Sequence, residues 1–149
     1  MRLTIDANVW IGALDIHDPF FETCRSCLLK ANEQSATLYS PLLLPIEVAA
    51  TIGRKTRDAR YGRSAARWVR DFRGHRWQPL SEDVADVAER FAATLFLRGA
   101  DAVYAAVAHL SDAVLLTYDA EVIDRTSGTL RAMTPDTWLH GSGSQGRTR

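Results

Sequence analysis

With 149 residues, 46% of them hydrophobic and 24% charged, the chain suits one compact soluble domain able to bury a core, and no apolar run is long enough to span a bilayer. Lys+Arg and Asp+Glu balance at 18 each, which excludes a global basic field for nucleic acid, yet Arg54 to Arg76 holds nine basic residues against two acids. Two cysteines, Cys24 and Cys27, are too few for a disulfide framework, and with no apolar leader in view the expected location is the cytoplasm.

Arg2 to Ile5 reads as a short first strand, and Asp6-Ala7-Asn8 turns the chain into a helical segment carrying Val9, Trp10, Ala13 and Leu14. After the turn His17-Asp18-Pro19, the spacing of Phe20, Phe21, Cys24, Cys27 and Leu28 is that of an amphipathic helix, which makes the cysteines core residues rather than a zinc or redox pair. Ala36 to Tyr39 predicts a second strand, and Ser40-Pro41 is expected to cap and open the next helix. That helix carries Glu47 and runs to Gly53 or a few residues beyond. It is apolar nearly all round from Leu42 to Ile52, so burial is expected.

In the arginine-rich stretch, Tyr61, Ala65, Trp68 and Phe72 recur at helical spacing and are expected to form the buried face. Arg60, Arg63, Arg67 and Arg70 make the neighbouring basic stripe, either a solvated helix face or a surface that tracks phosphates. Trp77 to Leu80 suggests a third strand, followed by a Ser81-capped helix that turns Val84, Val87, Ala88, Phe91 and Leu95 toward the core. Arg98-Gly99-Ala100 breaks it. Asp101 to Leu110 then reads as a small-residue helix, Ala113 to Tyr118 as a continuous apolar strand, Asp119 to Asp124 as the turn after it, and Thr129 to Met133 as an edge strand. The domain is expected to span residues 1–138, with 139–149 a disordered tail that is Gly/Ser-rich from Gly141.

Short apolar strands separated by helices imply right-handed crossovers and a mainly parallel small sheet flanked by helices, a three-layer α/β/α domain. Such sheets bind ligands beyond the carboxyl ends of their strands. Asp6 and Asp119 fall at such ends, and Glu47 and Asp101 lie on helices that can reach the same crevice. Each stands in an apolar segment that contains no basic residue, where a carboxylate needs an arginine, a nest of hydrogen bonds or a metal ion. Taken singly, Asp101 also suits a helix start favoured by the dipole, and Asp119 a turn. Glu47 is the hardest to explain structurally. Acidic ligands without His or Cys select hard cations, Mg²⁺ or Mn²⁺ rather than zinc, and such sites commonly act on phosphodiesters. The histidines His17, His75, His109 and His140 are scattered and form no triad pattern.

Four motifs carry a family resemblance: Ile5-Asp6-Ala7-Asn8 with Trp10-Ile11, Leu44-Pro45-Ile46-Glu47-Val48, Asp101-Ala102 with Ala105-Ala106, and Leu116-Thr117-Tyr118-Asp119. In order and separation they resemble the PIN-domain ribonucleases, and among them the VapC-type toxins of toxin-antitoxin pairs. The resemblance implies an endoribonuclease in which water activated at Mg²⁺ or Mn²⁺ attacks phosphorus, leaving a 5'-phosphate and a 3'-hydroxyl. It makes Asp6, Glu47, Asp101 and Asp119 the catalytic acids, with Asp6 and Asp101 holding the principal ion, Asp119 a supporting ligand, and Asn8 and Thr117 shaping the site. It also implies a homodimer and a cognate antitoxin partner. A housekeeping RNA-processing nuclease and a non-catalytic module binding RNA or protein remain alternatives. A phosphohydrolase with an aspartyl nucleophile usually ends its first strand in two acids, and Asn8 stands in the second place.

Overall fold

The computed structural model describes residues 1–141. Five strands, β1 (Arg2–Ile5), β2 (Thr37–Pro41), β3 (His75–Gln78), β4 (Val114–Leu116) and β5 (Ala132–Met133), form one all-parallel sheet in the order β3-β2-β1-β4-β5. The connections are helical: α1 (Ala7–Gly12) and α2 (Phe21–Glu33) follow β1, and α3 (Leu43–Thr56) and α4 (Ala59–Asp71) follow β2. Then α5 (Glu82–Thr94) and α6 (Gly99–Leu110) follow β3, α7 (Ala120–Thr126) follows β4, and α8 (Pro135–Gly141) closes the described chain. Right-handed crossovers put α1 to α4 on one face and α5 to α7 on the other, giving the expected three-layer α/β domain. Among the described residues no helix is long and apolar enough to cross a membrane.

Strand order runs outward in both directions from β1, to β2 and β3 on one side and to β4 and β5 on the other. The crevice beyond the carboxyl ends of β1 and β4 is therefore the topological switch point, where ligands of open parallel sheets bind. β1 and β4 lie at the centre: Leu3, Thr4, Ile5, Leu115 and Leu116 are almost wholly buried. Beside them Trp10 is fully buried, and its indole Nε1 donates to the Ile5 carbonyl at 3.3 Å. His75 stacks between Trp10 and Trp77, at centroid distances of 5.4 and 4.2 Å, and burial pushes its pKa down to about 4. Cys24 and Cys27 are buried free thiols, held protonated because burial raises them to about 12.

Several local expectations change. Ser40 and Pro41 do not open a helix; they end β2, where the Ser40 hydroxyl is 2.8 Å from His75 Nδ1, and α3 begins at Leu43 with no side-chain cap. Pro45 then falls in the first turn of α3, where its missing N–H leaves no intrahelical bond unmade. α3 is not buried all round, for Leu42 and Ile46 are exposed. The buried face of α4 is Gly62, Ala65 and Val69, whereas Tyr61 and Trp68 are exposed. The reason is the closeness of α3: a Cβ on Gly62 would stand 2.6 Å from the Ala49 carbonyl oxygen, so only a small-residue stripe fits and the aromatic stripe is displaced outward. The expected turn at Asp119 to Asp124 is helix α7, and α8 extends three residues past 138. Lys30 anchors α8 by donating from Nζ to the Leu139 carbonyl at 2.8 Å. The rest of the expected tail, residues 142–149, lies outside the described residues.

The close approach of α3 and α4 makes Gly62 a test of the packing. Gly62→Ala adds helix propensity worth about 1 kcal/mol. It also forces two backbones apart, an overpacking that costs about 1–3 kcal/mol. Urea denaturation should show a lower midpoint for the variant, and a raised midpoint would contradict the close packing.

Candidate active site

β1 delivers Asp6 to the switch point: the strand ends at Ile5, and the Asp6 N–H donates across to the Leu116 carbonyl at 3.0 Å. β4 ends at Leu116, so Thr117 arrives beside it, fully buried. The Thr117 hydroxyl donates to Asp6 Oδ2 at 2.6 Å and accepts from Asn8 Nδ2 and from the Asp119 N–H, each at 3.0 Å. Asn8 Nδ2 also donates to Asp6 Oδ2 at 2.9 Å, and Asn8 Oδ1 accepts from the Tyr118 N–H at 3.3 Å. One closed set of hydrogen bonds thus joins the end of β1, the start of α1 and the end of β4.

Glu47, on the second turn of α3, has its Oε2 fixed by the Tyr104 hydroxyl, which donates at 2.6 Å. Tyr104 is buried on α6, three residues after Asp101, which lies in that helix's first turn. Asp6 and Glu47 feel the charges of their neighbours. Burial first, then the Thr117 hydrogen bond working the other way, then the charges of Glu47 and Asp101, bring the Asp6 carboxyl from 3.8 up to about 6. Glu47 is also raised, by burial and by the charge of Asp101, against the lowering pull of Tyr104. Burial and the same Glu47 carboxylate push the Tyr104 hydroxyl far up, so it serves as a hydrogen-bond donor at all ordinary pH.

Asp119 is held differently. Its Oδ1 caps α7 by accepting from the N–H groups of Glu121 and Val122, at 2.9 and 3.2 Å, and its Oδ2 accepts from Arg98 Nη2 at 2.9 Å. Arg98 Nε simultaneously donates to Asp101 Oδ2 at 2.9 Å. A guanidinium from outside the apolar segments therefore supplies a cation to two of the four acids. Sequence reasoning missed both Arg98 and Tyr104, although each had a signal: Arg98, the N-cap of α6, stands three residues before Asp101 and Tyr104 three after it, each within reach of a helical neighbour at that spacing. The arginine stripe divides as well. All four arginines are exposed, but Arg60 is paired with Asp58 at 2.7 Å and Arg70 lies over the Trp77 ring at 5.7 Å, with Arg63 and Arg67 between them.

The donor chemistry at Asp6, Glu47 and Asp101 fits a hard divalent cation: all the candidate donors are carboxylate oxygens, and half-buried Asp6 is a group whose charge is unfavourable without a counter-ion. Among the described residues, no three Asp, Glu, His or Cys side chains close around a single point. Mg²⁺ asks for less, one or two carboxylates with the remaining positions taken by water and substrate oxygens.

The sequence pattern of the PIN domain family matches residues 3–128, and the chain belongs to that family. Among solved structures, the fold is similar to that in VapBC2 of Rickettsia felis bound to a DNA fragment from its promoter, with TM-score 0.68 and 13% identity over 90% of this chain and 98% of that one. It is likewise similar to FitAcB of Neisseria gonorrhoeae, with TM-score 0.68 and 16% identity over 91% and 98% of the two chains. PAE2754 of Pyrobaculum aerophilum gives TM-score 0.66 and 20% identity over 97% and 100%. A comparison with curated protein sequences finds no match.

With the Asp6 carboxyl raised from 3.8 to about 6, the native chain without metal takes up this proton more readily than the unfolded chain. Stability from that proton is present below about pH 4 and is lost as pH rises through 6, a loss of roughly 3 kcal/mol at neutral pH. His75 works oppositely, withdrawing stability as pH falls from 6.5 toward about 4, so a difference between variants isolates Asp6. In EDTA, Asp6→Asn should melt higher than the native chain at pH 7, with the gap closing toward pH 4. A gap unchanged from pH 4 to 8 would contradict the raised pKa.

Proposed function

We propose that this PIN domain is an Mg²⁺- or Mn²⁺-dependent endoribonuclease and the toxin of a toxin-antitoxin pair. The observation that carries the reading is Asp6, a half-buried carboxylate at the switch point, driven toward protonation by desolvation and by the charges of Glu47 and Asp101. Such an arrangement is costly for folding alone and becomes favourable when a cation is bound. Asp6 and Asp101 would hold it, with Asp119 in support. When bound, the ion would neutralise charge developing on the scissile phosphodiester and make water acidic enough to attack at neutral pH.

The chain's own groups supply the remaining steps. Glu47, with its affinity for protons raised and one oxygen fixed by Tyr104, is suited to take the proton from the attacking water. The 3'-oxygen then departs and takes a proton from solvent, leaving a 5'-phosphate on the other fragment, and Glu47 releases its proton to solvent. Thr117 and Asn8 hold Asp6 Oδ2 in one orientation throughout. Arg63 and Arg67, exposed on the helix packed against α3, would bind the RNA backbone, with Arg60 and Arg70 at the ends of the stripe.

Two surfaces suit the expected protein partners. Leu42 and Ile46 expose one turn of the outer face of α3, and the bond from the Leu42 N–H to the Gln78 carbonyl at 2.9 Å brings exposed Leu80 to the same edge, an apolar strip fit for a homodimer. A cleft of about 760 Å³ between the α1–α2 loop and the α3/α4 pair, lined by Leu14, Ile16, Ile52, Tyr61 and Trp68, would take an apolar antitoxin segment. The relation of the fold to the VapBC and FitAcB complexes supports that partner. The Arg98 pairs favour one second reading, a non-catalytic binding module whose acids are already neutralised by its own arginine.

Purified protein should cleave RNA in Mg²⁺ or Mn²⁺ and stop in EDTA. Asp6→Asn and Asp101→Asn should abolish cleavage, and Glu47→Gln should slow it by about a hundredfold or more. Replacing Arg63 and Arg67 by Ala should flatten the salt dependence of RNA binding by about one unit of slope for each phosphate left without its arginine. Undiminished cleavage by either Asp variant would defeat the assignment, and metal binding without turnover would favour the binding module.

A further inference from the structure

The geometry points to Arg98 as a resident counter-cation that must leave Asp101 and Asp119 before a divalent ion can take its full place in the site. This inference rests on the metal-dependent reading and concerns how the ion gains entry. Arg98 reaches both acids through different nitrogens, Nε to Asp101 Oδ2 and Nη2 to Asp119 Oδ2, each at 2.9 Å. Its side chain is 77% exposed while those of the two acids are only 17% and 22% exposed, so the arginine is the partner free to swing away.

Space points the same way independently. Around Arg98, Asp101 and Asp119, with Phe96 and Arg125 alongside, the remaining cavity is about 10 Å³. That is roughly the room one water needs. This pocket borders Asp101 and Asp119 but not Asp6 or Glu47, and Mg²⁺ and Mn²⁺ carry several waters into a carboxylate site, so a hydrated ion that used both Asp101 and Asp119 does not fit beside the bridging guanidinium. Arg125 does not stand in the way, being held by Glu121 Oε1 and by the Phe96 carbonyl.

Charge fixes the sign of the effect. In the metal-free chain Arg98 neutralises Asp101, whose charge otherwise acts on Asp6 and Glu47, together with Asp119 beside it. Removing it raises the free energy of the empty site and removes the ion's competitor, so metal binding tightens. A static brace between α6 and α7 would behave oppositely: its loss would let Asp101 stray and weaken the ion's site. Two partly exposed ion pairs of ordinary strength correspond to a change of about three- to tenfold.

The test is Mn²⁺ affinity, read from the loss of the free-ion EPR signal on titration of the full chain, for the native protein, Arg98→Gln and Arg98→Lys at one ionic strength. Arg98→Gln should bind Mn²⁺ about three- to tenfold more tightly. Arg98→Lys, which keeps the charge and loses the fork, should fall between the two. In EDTA, Arg98→Gln should melt below the native chain, and saturating Mn²⁺ should raise its melting temperature by more. Native binding with equal or weaker affinity in Arg98→Gln overturns the Arg98 inference and leaves the metal site standing. No Mn²⁺ binding by any of the three, each shown folded by its melt, overturns the metal-dependent reading and this inference with it.

Discussion

The Thr117 hydroxyl is the point on which the site's geometry depends. A hydroxyl has one hydrogen to give and two lone pairs to fill, and here all three are used: the hydrogen goes to Asp6, and the lone pairs receive Asn8 and the Asp119 N–H. Through that single atom the end of β1, the first turn of α1 and the approach to α7 are set relative to one another. A valine would fill the same space and supply none of the three bonds, leaving the Asp119 N–H without its acceptor and Asp6 Oδ2 with Asn8 alone. The position lies where the strand order reverses, so the same bonds that stitch the centre of the sheet also orient its most deeply placed acid.

The acids divide into two electrostatic groups. The charges of Glu47 and Asp101 act on Asp6, and that of Asp101 acts on Glu47, and with desolvation they make the ionised Asp6 and Glu47 unfavourable without a cation. Asp119 stands aside, its two oxygens shared between the α7 cap and Arg98. Asp101 belongs to both groups. A site of this kind gives up folding stability to unneutralised charge, and it does so in a chain whose overall charge is balanced. The unfavourable charge is local, which is the pattern of a group arranged to receive something.

The main lines of this arrangement are legible in the sequence because they rest on patterns that burial imposes. Apolar runs ending in Asp6 and in Thr117-Tyr118-Asp119 mark strand ends, and an acid such as Glu47 in an apolar helix has few structural explanations. What the sequence hides depends on contacts between distant segments. Hydrophobicity alone favours Tyr61 and Trp68 for the buried face of α4, whereas the closeness of α3 admits only Gly62 and Ala65. Ser40-Pro41 carries a helix-start signature, but pairing with β3 holds it as strand. Helix α8, anchored by Lys30 and with Trp138 buried, is too short to show a convincing period in sequence. Arg98 looks like part of a helix break because its partners, Asp101 and Asp119, come together only in the fold.

Membership of the PIN domain family and the likeness to these solved structures establish the fold, while the proposed chemistry rests on this chain's own acids. The central claim is that Asp6 and Asp101 hold a divalent ion at the switch point between β1 and β4. Anomalous diffraction from crystals of the protein grown with Mn²⁺ tests it most directly. A single strong peak is expected about 2.1 Å from carboxylate oxygens of both residues. A peak bound elsewhere, or no peak at this crevice at saturating Mn²⁺, would contradict it.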